Sequence, residues 1–144
     1  NPNHKNGRRM IVLAWNPGNA TISKLPPCHY TFAFNVLGNK LNCHLTQRSG
    51  DIALGIPFNL ACYSLLTMMI AKECGYEVGE FAHTIIDAHI YENHIEGLKE
   101  QLTREPLKLA KIRIADKPFN ELTFEDIVLE DYESHPVIKF EVAV

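Results

Sequence analysis

Hydrophobic and polar positions alternate along two neighbouring stretches in the first third of the chain. The stretches are HYTFAFNV (residues 29–36) and KLNCHLTQR (residues 40–48), and LGNK between them contains a Gly-Asn turn. One face of this pair is apolar apart from a single amide, and its side chains are Tyr30, Phe32, Phe34, Val36, Leu41, Cys43, Leu45 and Gln47. The pattern predicts a β-hairpin with one buried face.

Other apolar segments predict the remaining elements. Residues 10–16 read as a short buried strand, and the segment from Pro57 to Glu73 reads as a long helix that is buried on most sides and ends at Gly75. Further strands are predicted at residues 80–91, 109–114, 126–130 and 137–144, and further helices at residues 93–105 and 119–122. The expected fold class is α/β (α+β), with a mixed β-sheet packed against a long buried helix.

Length and composition narrow the class of protein. A chain of 144 residues with 46% hydrophobic residues is the size of one domain with an ordinary core, so we expect a single domain over residues 1–144. A net charge of -3 argues against a dedicated nucleic-acid partner. No window has the length of a membrane span and no leader is recognisable, so we expect no membrane contact and a cytoplasmic location.

The cysteines and histidines do not indicate a metal site. The four cysteines lack CxxC spacing, and three of them lie in strongly apolar segments, so we expect reduced and mostly structural thiols. The nearest approach to a ligand set has a spacing that matches no common zinc signature: His83, Asp87, His89 and His94. We therefore expect no bound metal.

One cysteine has a physical reason to be reactive. If Gly38 and Asn39 form the turn, partner numbers across the hairpin sum to 77, which sets Cys28 opposite Ser49 and His29 opposite Arg48. A neighbouring guanidinium favours the thiolate, which is the nucleophilic form. Since adjacent strand residues face opposite sides, His29 is badly placed as a base, which disfavours a Cys-His hydrolase. The alternative is that Cys28 only starts a strand.

Two groups of basic residues are candidates for binding an anion. Arg8 and Arg9 precede a predicted strand, while Arg48 and Ser49 end one. A solvated surface is the alternative for the first pair. Burying Arg48 without an anionic partner would cost several kcal/mol, roughly, so we expect Asp51 or a ligand phosphate beside it.

Three polar side chains are candidates for holding a base and a sugar. Asn59 can both donate and accept a hydrogen bond, which suits the edge of a base, although helix capping is the ordinary alternative. His89 and Tyr91 are predicted on the same strand face, where they could contact a sugar or be satisfied core residues.

Together these segments resemble the thymidylate synthase family. The matching segments occur in order over essentially all 144 residues: RRMIVLAWNP, LPPCHYTFAFNV, CHLTQRSGD, LGIPFNLACYSLL, DAHIYENHIEGLKEQLTREP and YESHPVIKFEVAV. The resemblance implies the thymidylate synthase fold, a homodimer formed through a sheet face, and methylation of dUMP to dTMP. It also implies 5,10-methylenetetrahydrofolate as the co-substrate that supplies the methylene group and a hydride.

The resemblance also implies roles for individual residues. Cys28 would be the nucleophile that adds to C6 of the uracil, and Asp51 and Ala143 would contact the folate beneath a tail that ends at Val144. Arg8 and Arg9 would reach the phosphate in the neighbouring subunit. The remaining positions implied for dUMP are Arg48, Ser49, Gly50, Asp51, Asn59, His89, Ile90 and Tyr91.

Two departures from the family pattern accompany the resemblance. The first half of the family's chain has no counterpart in these residues, so we expect this chain to be inactive alone. Ile85 and Ile86 precede Asp87, where the family usually has Gly just before the Asp, which changes the local geometry near the nucleotide. A pyrimidine nucleotide hydroxymethylase and a non-catalytic nucleotide-binding relative remain as alternatives.

Overall fold

Alternating side chains build a four-stranded mixed sheet in the first of two units of the chain, Asn1–His89 and Ile90–Val144. The structure is a computed structural model that describes residues 6–142. The strands of this sheet, in spatial as well as chain order, are β1 (Ile11–Leu13), β2 (His29–Leu37), β3 (Lys40–Asp51) and β4 (Glu77–His89). The first two pairings are antiparallel, whereas β3 and β4 are parallel. This architecture confirms the predicted mixed sheet and the predicted hairpin.

The core lies between the sheet and helix α1 (Gly55–Cys74), which connects β3 to β4. As predicted, Leu41, Cys43, Leu45 and Gln47 of β3 are all buried. The Tyr63 ring from α1 packs on this row and stacks on Phe81 of β4, with ring centroids 6.1 Å apart. Burial raises the pKa of the Cys43 thiol, which keeps it protonated and unreactive.

Helix α1 buries one stripe rather than most of its surface. Its buried residues are Ile56, Tyr63, Thr67 and Ala71, which recur at helical spacing and face the sheet. On other sides the side chain of Phe58 is 71% exposed and that of Leu60 is 41% exposed. The apolar composition predicts burial all round, but within residues 6–142 the sheet covers a single face. The helix ends as predicted, because Gly75 adopts a left-handed φ of 70°.

Strand β1 is shorter and more exposed than its sequence predicts. The extended run stops after Leu13, and Asn16 caps a 3₁₀ turn at Pro17–Asn19 by accepting a hydrogen bond from the Gly18 amide at 3.0 Å. All three residues of β1 are exposed. An apolar run at a sheet edge pairs with one strand only, so hydrophobicity alone does not bury it.

The second unit contains helix α2 (Ile95–Leu102) and a two-stranded antiparallel sheet of β5 (Lys111–Ile114) and β6 (Ile127–Glu130). Its 3₁₀ turns are Glu92–His94, Phe119–Glu121 and Phe124–Asp126. The strand predicted at residues 137–144 does not form over 137–142. This segment instead packs along α2, where the Phe140 ring lies against Gly97 and the ring Nε2 of His94 donates to the Glu141 carbonyl at 2.6 Å.

The structure also shows the setting of the helices, the cysteines and the potential metal ligands. Within residues 6–142, no helix combines the length and the apolar composition that a membrane span requires. The four cysteines are free thiols, but Cys62 and Cys74 are exposed, because they lie on the uncovered side of α1 and near its end. The described residues contain no group of three or more His, Cys, Asp and Glu side chains that could hold a metal ion.

Candidate functional site

Most of the predicted site residues of the first unit meet at one edge of its sheet, the edge formed by the carboxyl ends of β3 and β4. Strands β3 and β4 are parallel and end together, with Ser49 beside Asp87, Gly50 beside Ala88 and Asp51 beside His89. Because β2 is antiparallel to β3, the start of β2 lies at the same edge, as does the start of α1. The carboxyl ends of parallel strands are a common place for ligands to bind, so this edge is the candidate site.

The register at Cys28 differs by one residue from the prediction. Partner numbers sum to 77 from the turn as far as Thr31 and Thr46, but Tyr30 then forms a β-bulge and His29 pairs with Gln47. Beyond the bulge, the Arg48 amide donates to the Cys28 carbonyl at 2.8 Å. Cys28 therefore lies opposite Arg48 rather than Ser49, since a bulge inserts one unpaired residue into one strand.

The Arg48 guanidinium is held by neutral groups of the two residues that directly precede Cys28. Its Nε donates to the Pro27 carbonyl at 3.1 Å, and one of its terminal nitrogens donates to the Pro26 carbonyl at 2.8 Å. None of the ion pairs among the described residues includes Arg48, so the expected Asp51 partner is not observed. The side chain is half-buried. A positive charge in this setting favours an anionic ligand.

His29 is engaged with helix α1. Its Nδ1 lies 2.9 Å from the Tyr63 hydroxyl, and the two rings meet edge to face with centroids 5.6 Å apart. This contact fixes the imidazole on the helix side of the sheet. It agrees with the interpretation that His29 is not the base of a Cys-His pair, although the expected pairing of His29 with Arg48 is wrong because of the bulge.

Asn59 belongs to a hydrogen-bond network that sequence reasoning missed. The side chain of Gln47, which is 2% exposed, donates from Nε2 to the Ser49 carbonyl at 2.8 Å and to Asn59 Oδ1 at 3.0 Å. Its Oε1 lies 3.0 Å from Nε2 of His83. Asn59 is in the second turn of α1, so the capping alternative does not apply. The available signal was an amide at the end of a buried apolar row, which must find partners.

The environment of His83 favours the neutral form of its imidazole. Burial, and secondarily the nearby His44, lower its pKa from the ordinary value of 6.5. Its ring also stacks on Phe81, with centroids 5.7 Å apart. The ring is therefore fixed between the aromatic core and Gln47.

The carboxyl ends of β3 and β4 carry two anchored carboxylates. Asp51 Oδ1 accepts a hydrogen bond from the Ala53 amide at 2.9 Å, which shapes the turn into α1. Asp87 Oδ1 lies 3.1 Å from Nδ1 of His89 and orients that ring. Strand β4 ends at His89, so the predicted common strand face of His89 and Tyr91 is wrong; Tyr91 instead starts a 3₁₀ turn.

The Ile pair at the end of β4 is accommodated by Gly50. A side-chain carbon at Gly50 would lie 2.5 Å from Ile56 Cδ1 and 3.1 Å from Ile85 Cγ2, so the missing side chain leaves the space that Ile85 needs. Ile86 faces the other side of the sheet and is 67% exposed. The glycine that allows close packing here lies on β3 rather than on β4.

Arg8 and Arg9 lie away from this edge, and the other predicted site residues belong to the second unit or lie outside the described part. Arg8 and Arg9 are exposed and precede β1, whose first residue Ile11 pairs with Ala33, so they extend toward the turn end of the hairpin. Ile90 and Tyr91 begin the second unit and are half-exposed. Ala143 lies outside the described residues.

Comparison with known proteins identifies one family. The family model described as "Thymidylate synthase" matches residues 2–144. Thymidylate synthase of Haloferax volcanii is 42% identical, with 96% of this chain and 55% of the relative covered. Thymidylate synthase of Listeria monocytogenes serotype 4a (strain HCC23) is 54% identical, with 96% and 45% covered. The chain thus spans about half the length of these curated relatives.

Proposed function

We propose, on the premise that this chain belongs to the thymidylate synthase family, that the complete protein is a methyltransferase that converts dUMP to dTMP. The co-substrate would be 5,10-methylenetetrahydrofolate. One observation carries the proposal: the guanidinium of Arg48 is held by the carbonyls of Pro26 and Pro27, directly before Cys28. Cys28 would be the nucleophile, and the cation nearest to it in the hairpin, Arg48, has only uncharged carbonyl groups as partners among the described residues.

Cys28 would begin the reaction by nucleophilic addition. Its thiolate sulfur forms a bond to C6 of the uracil, and the electrons of the C5–C6 double bond move toward C5 and O4. The amide nitrogen of Asn59 would donate a hydrogen bond to O4, where negative charge develops. Methylation then occurs at the carbanion-like C5. This addition does not require a histidine paired with the thiolate, and His29 contacts the Tyr63 hydroxyl instead.

Arg48 and Ser49 would bind the phosphate of dUMP. A guanidinium offers several N–H donors in one plane, and the contacts of Arg48 to two proline carbonyls use only part of that set. Phosphate would then supply the negative charge that the described residues do not provide.

The remaining predicted site residues would hold the sugar and the folate. His89, oriented by Asp87, would contact the ribose together with Tyr91, while Gly50 and Ile90 would line the nucleotide. Asp51 and Ala143 would contact the folate, which supplies the methylene group and the hydride. The Asp51 carboxylate suits the N–H donors of a pterin, and its Oδ1 is already fixed by the Ala53 amide.

The complete protein would act as a homodimer. Arg8 and Arg9 extend away from Cys28 along the sheet, so in one chain they are poorly placed to reach its nucleotide. A neighbouring subunit docked on the sheet face opposite α1 could bring its own pair to the site. We keep the cytoplasm as the proposed compartment, since its reducing conditions suit four free thiols.

The proposal predicts a covalent complex. When the complete protein is incubated with 5-fluoro-dUMP and 5,10-methylenetetrahydrofolate, the peptide that contains Cys28 should gain the mass of both ligands. The fluorine at C5 blocks the later proton loss, so the adduct accumulates. Mass spectrometry of the digested protein is the measurement.

Two cysteine variants sharpen this test. Cys28→Ser should abolish the adduct, whereas Cys62→Ser, which changes an exposed thiol on α1, should leave it intact. Absence of the adduct in the folded protein would overturn the proposal. With unlabelled dUMP the product should carry a methyl group; a hydroxymethyl product would instead identify the hydroxymethylase alternative.

A further inference from the structure

An asparagine alone does not distinguish uracil from cytosine. Its side-chain amide has one accepting oxygen and one donating nitrogen, and a half-turn about its last torsion exchanges them. In one orientation the amide matches the O4 acceptor and N3–H donor of uracil. In the other it matches the N4 donor and N3 acceptor of cytosine equally well. Discrimination therefore requires that something fix the orientation of Asn59.

The hydrogen bonds around Gln47 fix this orientation. The Ser49 carbonyl is part of the backbone and can only accept, so the Gln47 atom 2.8 Å away must be the donating nitrogen Nε2. The second N–H of Nε2 reaches Asn59 at 3.0 Å, so the Asn59 atom there must be the accepting oxygen Oδ1. The nitrogen of Asn59 is thereby assigned to the other position.

A third partner holds the opposite end of Gln47. Nε2 of His83 lies 3.0 Å from Gln47 Oε1 and donates to it. Gln47 is only 2% exposed, so bulk solvent does not replace a lost partner. A reversed Gln47 would set its oxygen against the Ser49 carbonyl, and buried polar groups that lose their partners in this way destabilise the reversed orientation.

We propose that Gln47 is a specificity-determining residue, which holds the Asn59 amide in the one orientation that accepts uracil and rejects cytosine. This inference rests on the proposed function, because it requires that Asn59 contact the base. Gln47 acts through Asn59 and does not touch the nucleotide. The Ser49 carbonyl on β3 fixes which end of the Gln47 amide lies next to it. Gln47 in turn fixes the orientation of the Asn59 amide on α1.

The test is the preference of the complete protein for dUMP over dCMP, measured as the ratio of equilibrium binding constants by calorimetry. Gln47→Met keeps the length of the side chain and removes both donors, so Asn59 can turn. We expect the dUMP-to-dCMP ratio to fall by about tenfold or more, the size of one lost polar match. Most of the change should come from tighter binding of dCMP.

Thr67→Val is the matched control. Thr67 is also buried and polar, but its hydroxyl donates to the Tyr63 carbonyl within α1 and has no link to Asn59. This variant should keep the ratio even if it lowers the thermal midpoint. Gln47→Glu provides a second variant of nearly unchanged shape: its carboxylate only accepts, so Asn59 should turn its nitrogen inward and shift preference toward dCMP.

Each outcome has a distinct meaning. If the wild-type protein binds neither nucleotide, the proposed function fails and this inference fails with it. If the wild type prefers dUMP and Asn59→Asp shifts that preference, but both Gln47 variants retain the ratio, only the role of Gln47 is overturned. A ratio that falls equally in Thr67→Val would also overturn it, because the loss would then reflect general destabilisation.

Discussion

Buried polar side chains mark the site edge at the scale of single residues. Gln47 is the last member of the apolar row of β3, and it is followed at once by the half-buried Arg48. The first satisfies its amide with protein groups, whereas the second has neutral carbonyls as its described partners. The contrast supports the proposed roles, in which Gln47 orients Asn59 and Arg48 binds an anionic ligand.

His83 makes stability depend on pH. Because burial lowers its pKa below the ordinary 6.5, the unfolded chain binds a proton at a pH where the folded chain does not. The stabilisation is fully present above pH 6.5 and is lost as the pH falls toward the lower folded value. Chemical unfolding of the complete protein at pH 7.5 and 5.5 should show this loss of unfolding free energy.

A His83→Gln variant isolates the contribution. Its amide can still donate to Gln47 but does not titrate, so its unfolding free energy should fall less between the same two pH values. Identical slopes in the variant and the wild type would show that other groups cause the pH dependence.

At the scale of elements, the hairpin shows how far a pattern of alternation can be extended. The Gly-Asn turn fixes the register correctly from Leu37 to Thr31, because in an antiparallel hairpin each residue pair determines the next pair away from the turn. The prediction fails at Tyr30, since a bulge adds one residue without changing the hydrophobic pattern. The boundary of α1 was predictable from Gly75, whereas its exposed side was not, because composition does not tell which surfaces are covered.

The contact between β3 and its neighbours predicts a cost for filling Gly50. Gly50→Ala should destabilise the protein by about 1–3 kcal/mol, since the added carbon would overlap Ile56 and crowd Ile85. The measurement is denaturant unfolding of the variant and the wild type.

A compensating substitution tests the cause. Ile56→Val removes the Cδ1 atom that lies nearest the added carbon, so the double variant should be more stable than Gly50→Ala alone. If the two changes simply add, steric overlap with Ile56 is not the origin of the loss.

At the scale of the whole molecule, the proposed division of the site between two chains can be tested by mixing inactive subunits. In the complete protein, Cys28→Ser and Arg9→Ala subunits should each have low activity as homodimers. Random exchange gives hybrids in half of the dimers, each with one intact site of two, so activity should return to about a quarter of wild type. Mixtures that stay inactive would show that Arg9 serves its own chain.

The sequence predicted the positions at the sheet edge better than the contacts that support them. Arg48, Ser49, Asp51 and His89 could be located because strand ends are visible in a linear pattern. The links from Gln47 to Asn59 and His83 join three elements that are distant in sequence. Such links depend on which strands become neighbours, and the parallel pairing of β3 with β4 is not encoded in either strand alone.

The bulge at Tyr30 divides the hairpin into two parts of opposite phase. Between the turn and Thr31, the even-numbered residues of β2 face α1. Beyond Tyr30 the alternation is reversed, so that His29 faces α1 and Cys28, opposite Arg48, faces the other side of the sheet. A designer who grafts Cys28 and Arg48 onto another hairpin must therefore transfer Tyr30 and its irregular backbone as well. Without the bulge, the same sequence would place the Cys28 thiol on the α1 side of the sheet and the His29 imidazole on the opposite side.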